Sequence, residues 1–476
     1  MDLKERILEN FRSICAIPRG SGDEKAISDF LVKFASERGF EVHQDENWNV
    51  IINVPGTCGM EDHPAVALQG HMDMVYVKTP DSPHVYENGI ETKIEDGFMM
   101  STLNTSLGAD DGMSIAYCMT LMEDKTIPHP PLEMLITVLE EVGLIGAQKM
   151  DCSSLKAKSF INLDSEREGQ IFTSCSGGIR DTVKVPMGEK EAIGGLKNYE
   201  VRIYGLKGGH SGMEIDLGRA NGIKVMERIL KYSDSEKVHL ANFFHNGKAN
   251  AIPHACTARV GVEASEAEAF VKALNDNYNV IFNEFQFSDT MNFEVKEISD
   301  ELTYYSQDSK KKLYDIITLL PFGLIAKSFA IPGLTETSVN IGSCDEIEGN
   351  ITTLLCSARS SVKSRKMELT EKIDLVAEIY GCTTEKAGDY PQWDYNPDSK
   401  LREIALASYK EVTGKDATCN AMHAGLECGY YCEKMPGVDM ISIGCDIFDV
   451  HSVKEKVDVE SFLRTWDVLL AILAKL

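Results

Sequence analysis

Apolar residues recur every three to four positions near the start of the chain. Leu3, Ile7, Phe11 and Ile14 fall on one helical face, and Ile27, Leu31, Phe34 and Ala35 on another, the spacing of amphipathic helices that bury one side. Short apolar runs follow at Trp48–Val54, Val66–Leu68, Leu135–Leu139 and Phe160–Leu163, each with the length of a strand. Helical stretches separate them, Ile115, Ala116 and Met119 among these. The pattern predicts an α/β sheet with helices on both faces. In such sheets ligands gather beyond the carboxyl ends of the strands, so the residues after each run are the ones to inspect.

From Asn198 the pattern changes to well-spaced strands and helices: Tyr199–Tyr204, Ala220–Tyr232, Thr257–Val262 and Glu266–Leu274. A passage rich in Pro, Asp and Asn (Tyr390, Pro391, Asp394, Asn396, Pro397) reads as a linker back into the first pattern. A strand at Val438–Ile443 and a closing helix at Glu460–Leu473 follow it. The expected organisation is an α/β domain made of residues 1–185 and 386–476, interrupted by an inserted domain at 186–385. The chain shows no internal repeat and no low-complexity segment.

Its 476 residues exceed what one core usually supports, which also argues for two domains. With 48 Lys and Arg against 74 Asp and Glu, the net charge is −26, a field that repels nucleic-acid phosphate and anionic membranes. Most of that charge is expected to be solvated surface. The N-terminus carries both charge signs with no apolar stretch behind them, and the run Val468–Leu473 is far below the ~20 residues of a membrane helix. Thirteen scattered cysteines without a C-x-x-C pair suggest reduced packing residues, Cys428 and Cys432 included. The cytoplasm is the expected compartment.

Four strand ends carry side chains of the kind that bind metals. Gly70-His71-Met72-Asp73 follows the run at Val66; it is either a strand-end pair or an imidazole oriented by a carboxylate. Asp110 and Asp111, flanked by glycines before a helix, suit an N-cap. Glu140-Glu141 is a solvated pair or the ligand and general base of a hydrolytic metal centre. Asp164 is a turn residue or a ligand. His451, after the last strand, is structural unless it is the second imidazole of a mixed nitrogen and oxygen set. The loop Gly205–Gly212 around His210 lacks the spacing of a phosphate loop.

Taken in order, Leu68–Val75, Leu107–Asp110, Glu140-Glu141, Asn162–Glu166, Gly205–Gly212, Asn250–Pro253, His423–Gly429 and His451-Ser452 resemble the M20 family of metallopeptidases, in particular its bacterial aminoacyl-histidine dipeptidases. The resemblance covers essentially the whole chain. It implies a mixed-sheet di-zinc peptidase domain interrupted by an α+β lid and dimerisation domain. His71 and Asp164 would hold one zinc, Glu141 and His451 the other, and Asp110 would bridge them; Mn2+ or Co2+ could replace zinc. Asp73 would orient His71, Glu140 would be the general base, and a cis peptide would follow Asp110. His210, from the inserted domain, would stabilise the oxyanion after the domains close, and Asn250, Arg359 and His423 would grip the substrate backbone and its terminal carboxylate.

The expected substrates are small peptides, namely dipeptides with a free N-terminus, Xaa-His among them, and the expected assembly is a homodimer. The rivals are a deacylase of N-acyl amino acids on the same fold and a non-catalytic relative. Leu103-Asn104-Thr105-Ser106 and Asp111 depart from the stretches common in the family, at positions that are not expected ligands.

Overall fold

The computed structural model describes residues 2–476. The chain forms two compact units: the first holds the chain up to Cys175 with Trp393–Ala421 and Leu426–Leu476, the second Ser176–Gln392 with Met422–Gly425.

The first unit is built on an eight-stranded sheet in the order Glu41–Gln44, Val50–Val54, Leu132–Thr137, Val66–His71, Ser159–Ser165, Asp439–Gly444, Gln170–Cys175, Thr418–Met422. The four strands from Leu132–Thr137 to Asp439–Gly444 run parallel, and antiparallel strands flank them. Every residue of Val66–His71 and Leu132–Thr137 is buried, as expected of parallel strands covered on both faces. The helix Leu3–Cys15 starts with a capping box between Asp2 and Glu5 and buries Ile7, Phe11 and Ile14. Phe11 meets Phe462 of the closing helix Val459–Leu473 edge-on at 5.7 Å, so the two ends of the chain share one core. A small sheet of Thr92–Glu95, Phe98–Ser101, Lys456–Asp458 and Ile447–Phe448 completes the unit.

Two apolar runs extend past one end of their strands. Val50, not Trp48, begins the second strand, because Asp45 accepts the N–H groups of Asn47 and Asn49 and Trp48 turns to φ 74°. The run ending at Leu139 stops pairing at Thr137, and Leu139 takes φ 53°.

The second unit is α+β. One antiparallel sheet orders Val238–Phe244, Cys256–Glu263, Leu196–Tyr204 and Asn292–Ile298; another orders Gly323–Lys327, Thr335–Ile347, Ile351–Ser360, Gly177–Pro186 and Thr383–Tyr390. The helices Gly222–Tyr232, Ala267–Phe285, Gln307–Leu319 and Lys363–Ile379 pack into its own core. Its limits lie outside the expected 186–385. Gly177–Pro186 pairs along its length with Ile351–Ser360, and Thr383–Tyr390 pairs on its other side, so both strands at the expected boundary belong to this unit. No helix among the described residues is long and apolar enough to cross a membrane.

Candidate metal centre

The parallel strands of the first unit end where the sequence places its metal-type side chains. His71 closes Val66–His71 and Asp164 lies near the end of the neighbouring Ser159–Ser165. The Nε2 of His71 is 3.0 Å from Asp110 Oδ1 and 3.4 Å from Asp164 Oδ1. Its Nδ1 lies 3.1 Å from the Asp73 carbonyl and 3.4 Å from Asp73 Oδ1. Only acceptors stand beside either nitrogen, so the ring carries both protons here; a cation beside Nε2 would replace the proton there, while Nδ1 would keep its own toward Asp73.

His451, in the loop between Ile447–Phe448 and Lys456–Asp458, has its Nε2 3.3 Å from Asp110 Oδ2 and 2.8 Å from Glu141 Oε1. Three sets of donor atoms therefore gather within 4.8 Å: His71, Asp110 and Asp164; Asp110, Glu141 and His451; and His71, Glu140 and Glu141. Asp110 presents one oxygen to each imidazole, the arrangement a bridging carboxylate needs.

These side chains are held from behind. Asp73 is fully buried and accepts from the backbone of Glu140 at 3.0 Å, the backbone of Glu141 at 3.3 Å and Ser21 Oγ at 2.8 Å. One carboxylate thus fixes both the His71 ring and the Glu140-Glu141 turn. Arg19, 1% exposed, donates to the carbonyls of Met72 at 3.0 Å and Asp73 at 3.3 Å and to that of Gly108, tying the His71 segment to the Asp110 segment. Asp111 accepts the His71 N–H at 3.1 Å. The peptide between Asp110 and Asp111 is cis. Instead of capping the helix Ala109–Glu123 through their side chains, these aspartates have non-helical backbones, and the carboxylate of Glu455 takes the N–H groups of Leu107, Gly108 and Ala109.

Packing so many carboxyls together shifts their protons. Burial, with Asp110 and Glu427 nearby, pushes Asp164 up to about 8. Burial also holds Glu140 and Asp111 well above the carboxylate range, Asp164 adding to both. Asp110 goes the other way: burial raises it, but the rings of His451 and His71 on its two oxygens bring it far down. Burial alone would lower His71, yet the carboxylates of Asp164, Asp110 and Asp73 keep it well above its usual value. Hydrogen bonds to Asp110 and Glu141 push His451 up to about 11. The carboxyls outnumber the two rings, and divalent cations are the charge that would let them ionise together. Mixed imidazole and carboxylate donors suit zinc, and also manganese or cobalt.

The other expected residues lie in the second unit. His210 Nδ1 accepts the N–H groups of Gly212 at 3.3 Å and Met213 at 3.1 Å. Burial, helped by the Arg359 charge, lowers its pKa, so the ring is neutral with its proton on Nε2. Asn250 is exposed on the loop beside it, and its carbonyl accepts the Ser211 N–H at 2.9 Å. Arg359 donates to the Tyr390 hydroxyl at 2.7 Å. His423 Nε2 pairs with Ser338 Oγ at 2.7 Å, and burial, with Arg359 and His210, lowers its ring to about 3.

Nothing in the local pattern around Arg19 or Glu455 points to these roles. Glu427, fully buried, takes the side chains of Gln69 and Thr137, the latter at 2.7 Å, and is pushed by burial up to about 7. It sits inside a stretch singled out for His423, and a glutamate among Leu426, Cys428 and Gly429 was the only signal available.

A family model described as peptidase family M20/M25/M40 matches residues 67–475. The cytosol non-specific dipeptidase of Escherichia coli (strain K12) is 31% identical over 468 residues, 98% of this chain and 96% of the relative. The crystal structure of aminoacylhistidine dipeptidase from Vibrio alginolyticus superposes with a TM-score of 0.92 at 31% identity, covering 99% of this chain and 96% of that one. Aminopeptidase PepT from Bacillus cereus shares the fold at a TM-score of 0.61 and 19% identity, over 99% and 98% of the two chains.

Proposed function

The chain belongs to peptidase family M20/M25/M40, and on that premise we propose that it is a di-metal dipeptidase acting on dipeptides with a free N-terminus, Xaa-His among them. The observation that carries the reading is Asp110, one oxygen toward each imidazole, with Glu140 in the adjoining donor set. Divalent cations, zinc in the first place, would be held by His71, Asp110 and Asp164 and by Asp110, Glu141 and His451, and would supply Lewis acidity for the scissile carbonyl and for lowering the pKa of the attacking water.

Glu140 takes the proton from that water and passes it to the leaving amine. Asp73 keeps His71 and Glu140 in place through the ring and the backbone it binds. His210, neutral and protonated on Nε2, is the donor for the developing oxyanion, a contribution typically of about 10²- to 10³-fold in rate. Asn250, Arg359 and His423 hold the substrate backbone and its terminal carboxylate. The enzyme works in the cytoplasm as a homodimer on small peptides.

The decisive experiment is Glu140→Gln: metal content should match the parent while dipeptide turnover collapses, and retention of near-full activity would remove the general-base assignment. A parallel panel of dipeptides and N-acyl amino acids, run on metal-stripped protein restored with single cations, should show turnover of the dipeptides only.

A further inference from the structure

Strand alternation gives the five-stranded sheet of the second unit two unlike faces. Ile179, Val339, Ile341, Cys356 and Ala358 belong to the apolar core. The residues between them point the other way: Gly178 and Arg180 on one strand, Ser357 and Arg359 on the next, Ser338 and Asn340 on the third. Arg359 stands opposite Gly178 and Arg180 opposite Ser357, so the two arginines are diagonal neighbours on the polar face.

A cavity of about 430 Å³ lies on this face, lined by Arg180, Lys248, Asn250, Ser357, Arg359 and Tyr390 among others. It is built rather than incidental. Asn340 Nδ2 donates to the carbonyls of Ala249 at 3.0 Å and Ala251 at 2.8 Å, pinning the loop of Lys248 and Asn250 to the sheet. A side chain at Gly342 would put its Cβ 2.4 Å from the Lys248 carbonyl, so glycine is what lets the loop lie so close. At Gly388 (φ +57°) a Cβ would stand 2.9 Å from Arg180 Nη2, so glycine lets that guanidinium rest against the backbone. Arg359 is 8% exposed, and its buried Nε has no partner.

Three cations line the cavity and no Asp or Glu does. In a chain of net charge −26 this is a local reversal of sign, which solubility does not explain. Guanidinium forks bind carboxylates two bonds at a time. Diagonal positions on paired strands stand about 7–8 Å apart, a scale on which two carboxylates of one amino-acid residue can each face a cation of its own.

We propose that this pocket receives the C-terminal residue of dipeptides ending in aspartate or glutamate, Arg359 facing the terminal carboxylate and Arg180 with Lys248 facing the side-chain carboxylate. The proposal rests on the dipeptidase reading for the terminal carboxylate and adds acidic-residue selectivity through Arg180 and Lys248.

The test is calorimetric titration of the full-length, metal-loaded protein with L-aspartate and L-asparagine, which have the same shape and differ in one charge. Aspartate should bind roughly ten- to a hundredfold tighter, the scale of one charge-assisted interaction. Arg180→Gln and Lys248→Gln should each shrink that ratio; the second lies on a loop, where loss of the sheet is not at issue. Equal affinities in the parent protein, or a preference unchanged in both variants, overturn the proposal. The same ratio should appear in kcat/KM for Ala-Asp against Ala-Asn. Absence of turnover on every dipeptide would instead sink the dipeptidase reading, and the aspartate titration would still decide the pocket.

Discussion

Glu455 holds Gly108 by its backbone N–H at 3.0 Å, across 347 positions of sequence. The same carboxylate takes the N–H groups of Leu107 and Ala109, both at 2.8 Å. These are the free donors at the start of the helix Ala109–Glu123, so a residue near the end of the chain caps the segment that presents Asp110.

Glu455→Gln therefore sets an amide N–H₂ against backbone donors and leaves at least one unsatisfied, at about 1–3 kcal/mol. Asp110 loses its fixed position, and metal affinity should fall about 10- to 100-fold, as for other groups that support a ligand. Denaturation and competitive metal titration read the two effects; parent-like values in both would leave Glu455 no role in placing Asp110.

Gly70 sits in the buried strand just before His71. A Cβ there would come within 2.0 Å of Ser114 Oγ and 2.2 Å of Asp111 Oδ2. Gly70→Ala should destabilise by about 1–3 kcal/mol or more through overpacking. Ser114→Ala added to it should recover only part of the loss, because Asp111 remains in the way. Full recovery in the double variant would mean Asp111 yields freely.

Removing metal should change how stability depends on pH. Without cations, Asp164 is raised to about 8 and His451 to about 11. Both folded values lie above the unfolded ones, so the folded chain binds more protons, and this stabilisation fades as pH rises. Chelator-treated protein should thus melt progressively lower from about pH 6 to about pH 8, and its gap below the metal-loaded protein should widen over that range. A gap that narrows with pH would contradict the charge balance drawn for the centre.

The strand-end rule made most of this centre legible, because His71 and Asp164 lie just beyond short, mainly apolar runs that form buried parallel strands. Glu140 and Glu141 were found by the same rule although their strand ends earlier than the run, Leu139 being used in a turn rather than in pairing. Periodicity could not reveal Arg19, Glu427 or Glu455. Each is a charged side chain buried against backbone or side-chain groups distant in sequence, and nothing local distinguishes it from solvated charge. Asp110 and Asp111 looked like caps for a related reason: the true cap arrives from residue 455. The domain limits were misplaced because strand pairing, not composition, decides which unit a strand joins.

His423 offers an acid-side test in the second unit. Its folded pKa of about 3 lies below the usual 6.5, so as pH falls through that window the unfolded chain gains a proton that the folded chain refuses. The stability present above pH 6.5 is lost on acidification, by up to about 1.4 kcal/mol per pH unit. His423→Gln should show a shallower fall in melting temperature between about pH 7 and about pH 4.5. Parallel curves for variant and parent would mean that the ring is not held neutral.

The path of the chain through the second unit carries one more consequence. Ser176–Gln392 forms nearly all of it, yet Met422–Gly425 belongs to it as well, and the Ser176 N–H is held by the carbonyls of Met422 and Ala424. A genetic exchange that cut only at the two ends of Ser176–Gln392 would leave His423 behind and strip that N–H of its acceptors. The unit is thus built from two separated stretches of chain, and Ser176–Gln392 expressed alone would lack one of its own backbone pairings.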